Sequence, residues 1–161
     1  MTIPDKIKSF LSDTTDVSLG YNEINFFQPN DLNEEQIGYR IDQIGNSLIT
    51  GNDGDWQEEW LVIGTDQLGD PIIVDVITPD LTVLSAAHGV GRWEPLVIAE
   101  SLDSFANIIF ILTTISKDRT QPADLDKNPI TDMERQEALK QIEQQNPGAE
   151  IEYWESFFDD N

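Results

Sequence analysis

The chain has 161 residues, 39% of them hydrophobic, with four tryptophans and no cysteine. It is long enough to bury a core as one ordinary domain, and it has no disulfide, thiolate zinc site or cysteine nucleophile. Thirty-one acidic residues against nine lysines and arginines give a formal charge of -22, which repels nucleic acid and anionic membrane and attracts cationic protein.

The opening "MTIPDKIKSFLSD" has no signal-peptide run, and no stretch supplies the roughly 18 apolar residues of a membrane span. A cytoplasmic protein without membrane attachment is expected. Within that opening, Ile3, Ile7, Phe10 and Leu11 share one helical face and Pro4 suits a first turn, which predicts a short amphipathic helix. "EINFFQPNDLNEEQIGYRID" carries an aromatic pair, then Pro29 and Asn30 ahead of a short helical stretch with acids in its first turn. The glycines and asparagines of "QIGNSLITGNDGDW" predict a loop.

Four segments rich in branched residues follow: "EWLVIG", "PIIVDVI", "LTVLSA" and "WEPLVIA". Their connections are too short for parallel crossovers, so consecutive antiparallel strands are expected. In the second of them Ile72, Val74 and Val76 share one face and Ile73, Asp75 and Ile77 the other, which predicts a strand buried on both sides. "SLDSFANIIFILTTISK" then switches to helical spacing, with Ser101 as N-cap, Asp103 in the first turn, and a stripe of Phe105, Ile108, Leu112 and Ile115. After Lys117, "KDRTQPADLDKNPI" has the composition of a linker or long surface loop. Thr131 and Glu134 match a capping box for "DMERQEALKQIEQQ", which stops at Asn146, Pro147 and Gly148. The aromatic end "AEIEYWESFFDDN" predicts a packed appendage. The expected organisation is a domain over residues 1–116 and a polar linker with a helical appendage over 117–161.

The residues offer little to catalysis. His88 is the single histidine, which leaves one possible base for a serine triad, and neither Ser85 nor Ser101 has the context of a nucleophile elbow. A histidine so placed is expected to cap a strand end. Asp70 and Asp75 point to opposite faces of their strand and make a poor acid and base pair. "NDGDWQEE" lacks the alternate oxygens and terminal glutamate of a calcium loop, and "GVGRW" lacks the lysine, serine and helix of a phosphate loop. No enzyme activity, metal or cofactor is expected. From Ile41 to Gly91, by contrast, nine acids occur without one lysine or arginine, so salt or another molecule must neutralise them. Trp56 and Trp60 lie among Asp53, Asp55, Glu58, Glu59 and Asp66, and the expected partner surface is Asp53, Asp55, Trp56, Glu58, Glu59 and Asp66. Core packing is the competing reading for both tryptophans.

The order of these segments resembles the SUKH superfamily, which includes yeast glucan-synthesis regulators and many bacterial immunity proteins. The resemblance runs over residues 24–112 and rests on an ordered set. Trp60 opens an apolar strand that ends at Gly64. A Gly69-Asp70 turn leads to a strand bearing Asp75, and a strand next to His88 and Gly89 precedes Trp93 and a final helix with Ser101 and Phe105. The front departs from the family pattern: "FFQPNDLNEEQIGY" replaces the expected leucine-proline and acidic helix opening. The resemblance implies an α+β fold with a central, mostly antiparallel sheet of four to six strands and helices packed against it. It also implies action by protein binding, as an immunity protein against a cognate toxin, often a nuclease, or as an adaptor or regulatory domain with no toxin partner.

Overall fold

The computed structural model describes residues 2–159. Helix α1 (Asp5–Asp13) buries Ile7, Phe10 and Leu11 of the predicted face, while Ile3 lies before the helix and Pro4 is its N-cap rather than inside the first turn. Six strands follow: β1 (Val17–Ser18), β2 (Glu23–Phe26), β3 (Trp60–Asp66), β4 (Pro71–Asp75), β5 (Val83–Ser85) and β6 (Leu96–Ala99). They form one antiparallel sheet in sequence order. The last four are the strands read from sequence, and their short connections act as hairpins. The first two are missed by the pattern because they are only two and four residues long, although β2 alternates, with Ile24 and Phe26 buried. β2 is four residues long and exists by pairing Ile24 with Asp66 and Phe26 with Gly64 on β3. The helical stretch expected after Pro29 is two single 3-10 turns, at 29–31 and 34–36.

The pleat of β3 and β4 divides the interior. Leu61, Ile63, Ile72 and Val74 enter the main core together with α1 and helix α2 (Leu102–Ser116), whereas Trp60, Val62 and Ile73 enter a second cluster on the opposite face. The sheet is thus buried on both sides, as β4 alone suggested, although Ile77 lies beyond the strand and is exposed. Gly64 meets β2 at close range. A side chain there would strike the Asn25 carbonyl, which is the physical reason for glycine at this position.

α2 is capped as expected: the Ser101 hydroxyl accepts from the Ser104 N–H at 3.0 Å. Phe105, Ile108 and Leu112 are buried against the sheet. The stretch 117–130, read as linker or loop, holds helix α3 (Pro122–Lys127) and a buried arginine, Arg119. The Arg119 guanidinium donates to the backbone oxygens of Ile115, Asn128 and Pro129 and to Glu134 at 2.8 and 3.0 Å. An arginine on a polar stretch gives no sequence signal of burial; only the carbonyls converging on it do. Helix α4 (Asp132–Gln145) starts at the predicted Thr131–Glu134 box and stops at Asn146. Helix α5 (Ile151–Phe157) buries Trp154 and Phe157 in the same core as Phe105, and the Trp154 indole donates to the Ile98 carbonyl at 2.8 Å.

Candidate functional site

The face of the sheet opposite the helices is covered by loops, chiefly residues 27–58 and 87–93. Side chains acting as strand backbone hold this excursion to β3. The Gln36 amide both donates to and accepts from Val62, at 2.8 and 3.0 Å, in the place a neighbouring strand would occupy. Arg40 donates to the carbonyls of Glu58 and Trp60, and the Trp56 indole donates to the Trp60 carbonyl at 3.1 Å. Burial lowers the pKa of Arg40 while the Glu58 charge opposes it. Beneath the loops Trp56 has ring centroids 5.2 Å from Tyr39, 5.4 Å from Trp60 and 5.2 Å from Trp93. Burial raises the Tyr39 hydroxyl above its ordinary value, with the Glu35 and Asp70 charges adding to it.

This packing corrects two members of the expected partner surface. Trp56 is 1% exposed and belongs to the second core. It cannot reach a partner without unfolding the loop, because its ring is enclosed by three aromatics and its N–H is satisfied internally. Asp66 is buried as well. Its carboxylate accepts from the Leu68 and Asp70 N–H groups at 2.9 and 3.0 Å and from the Tyr153 hydroxyl at 3.1 Å, so it shapes the β3–β4 turn. Burial raises the Asp66 pKa against those hydrogen bonds, and burial also drives Tyr153 well above the ordinary tyrosine value.

Asp53, Asp55, Glu58 and Glu59 remain on the loop surface, half-buried or exposed. Asp53 pairs with Arg92 at 3.1 Å, a cation from just outside the basic-free 41–91 segment. Asp55 accepts from the Thr50 hydroxyl at 2.6 Å. Asp75 ends β4 across from Trp60 and accepts from the Ile77 N–H at 3.1 Å. Burial raises its pKa and the nearby Glu59 charge adds to that, so Glu59 and Asp75 extend the acidic field to this end of the sheet.

The residues of the resemblance take distinct places. Gly69 turns the chain at φ +80°, and the adjacent Asp70 accepts from both the backbone N–H and the ring Nδ1 of His88, at 2.9 and 2.6 Å. The Gly69-Asp70 turn and the His88-Gly89 turn are therefore one joint between neighbouring hairpins. Gly89 also has a positive φ, 74°. Trp60 and Trp93 pack on Trp56, while Ser101 and Phe105 cap and bury α2. Among the described residues, no serine or threonine hydroxyl bonds to His88, and no three histidine, aspartate or glutamate side chains converge as metal ligands. No helix among them is long and apolar enough to cross a membrane. Gln36, Tyr39 and Arg40 escaped the sequence reading. Their "QIGYR" context carries no periodicity, and Gln36 and Arg40 depend on a strand twenty or more residues away while Tyr39 depends on the rings of Trp56 and Trp93.

Comparison with protein-family models, with curated proteins and with solved structures gives no match.

Proposed function

We propose that this chain is a non-enzymatic, cytoplasmic protein-binding domain of the SUKH type, an immunity protein that neutralises a cationic, nuclease-type toxin. One observation carries the proposal: the acidic loop face is undercompensated. Nine acids lie between Ile41 and Gly91, with Asp53, Asp55, Glu58 and Glu59 at the loop surface and Asp66 buried, and among the described residues the cations that reach them are Arg92 at Asp53, Arg40 near Glu58, and His88 at Asp70 when protonated. A nuclease grips phosphate with a basic surface. An acidic inhibitor that meets the same surface associates fast by electrostatic steering and competes with the substrate. The joint between Asp70 and His88 supports the reading further, since it unites two separate parts of the SUKH-like pattern.

The test is a binding measurement against the product of a toxin gene encoded next to this one. Reversing Asp55, Glu58 and Glu59 to lysine should slow association about tenfold at low salt and much less at high salt. An unchanged association rate would reduce the acidic face to a solvated coat. Absence of any neighbouring toxin, together with tight binding to a neutral partner, would favour the adaptor role.

A further inference from the structure

The outward face of α2 contrasts with the rest of the molecule. In a chain with 31 acids and nine bases, the fifteen residues of α2 carry one charge, Asp103 in the first turn. Its exposed side is polar around one large apolar residue, with Asn107, Thr113 and Thr114 accompanying Phe110. Here one side packs on the sheet, yet Phe110 on the other side is 73% exposed. It stands as a ridge between two grooves. One, of about 470 Å³, is shared with α1, and the other, of about 450 Å³, is shared with α4 and has Ile111, Ile115 and Ala138 among its walls. The first groove holds the Lys6–Asp103 ion pair, at 3.0 Å, beside Asp13, and Glu137 edges the second; neither Asp13 nor Glu137 has an ion-pair partner among the described residues. A charge-depleted apolar centre inside a charged rim is the anatomy of a protein interface.

We propose that this face docks a cationic protein, which lays an apolar side chain beside Phe110 in the α2–α4 groove and sets lysine or arginine groups over Glu137 and Asp13. Charge selects the occupant. A second copy would bring another formal charge of -22 and a like-signed rim against this one, and anionic lipid or nucleic acid is repelled in the same way. A basic partner gains from both the apolar centre and the rim. The inference rests on the reading that the protein binds a cationic partner. It places a contact separate from the acidic loop face, on the helix side of the sheet, where Phe110 already faces solvent.

The probe is a synthetic lysine–leucine peptide whose leucines repeat at helical spacing, compared with a scrambled isomer of the same composition, by fluorescence anisotropy at about 0.15 M salt. The ordered peptide should bind more tightly than the scrambled one. Phe110→Ser should weaken it about tenfold, and Glu137→Lys should weaken it with a reduced salt dependence. Both variants should melt with the wild type, because both side chains lie on the surface. Equal binding of the two peptides, or Phe110→Ser binding like wild type, overturns the inference. If only Glu58→Lys weakens binding, the cationic-partner reading stands and the α2 site falls; if neither peptide binds, both fall. A dimer at about 1 M salt that Phe110→Ser abolishes would make the occupant a second copy and overturn the choice made here.

Discussion

Replacing Trp56 by alanine separates a core tryptophan from a partner anchor. The side chain is 1% exposed, contacts three aromatic rings at centroid distances of 5.2 to 5.4 Å, and gives its N–H to the Trp60 carbonyl. Emptying such a site costs about 3–5 kcal/mol, out of a total near 5–15 kcal/mol for a typical domain. Trp56→Phe keeps most of the volume and loses chiefly the hydrogen bond. It should cost about 1–2 kcal/mol, since Arg40 still donates to the same carbonyl at 3.3 Å. For a chain of this size, alanine should lower the melting temperature by about 6–20 °C. Urea unfolding followed by far-ultraviolet circular dichroism is the suitable assay, because indole fluorescence changes with the mutation itself. Binding to a partner should fall only as the folded fraction falls. A Trp56→Ala protein within about 0.5 kcal/mol of wild type would refute the assignment of this ring to the core.

Three further outcomes are expected. With 31 acids and nine bases, the melting temperature should rise by about 3 °C or more between dilute buffer and about 0.5 M sodium chloride as self-repulsion is screened, and a flat response would mean the charges are already well dispersed. The Glu134 carboxyl, held from its ordinary 4.5 down to about 2 by its hydrogen bonds with Arg119, contributes stability that is complete above about pH 4.5 and lost as the pH falls toward 2. Because that side chain is 37% exposed, solvent screening limits the contribution to about 1 kcal/mol, and Glu134→Gln should flatten the acid limb of a stability–pH curve in this window; an unchanged limb would count against the pair. Gly64→Ala should cost about 1–3 kcal/mol by pushing β3 away from the Asn25 carbonyl, read as a lower urea midpoint, and an unchanged midpoint would mean that β2 yields freely.

The sequence by itself determined whatever depends on local pattern. The four middle strands announce themselves by branched residues between turn signals, and Ser101, Thr131 and Asn146 mark helix boundaries because capping needs side chains only a few residues apart. The acidic excess is legible for the same reason, since charge is a property of composition. Tertiary structure decided what depends on distant partners. β1 and β2 are too short to be strands without β3, and Arg119 is buried only because the carbonyls of Ile115, Asn128 and Pro129 converge on it. Trp56 and Trp60 sit in the same acidic sequence context as Asp53 and Glu58, yet the loops fold the aromatics inward and leave the carboxylates Asp53 and Glu58 outside. Phe110 shows another side of this: it lies on α2 outside the predicted stripe of Phe105, Ile108, Leu112 and Ile115, and it is exposed because the sheet covers only one side of that helix.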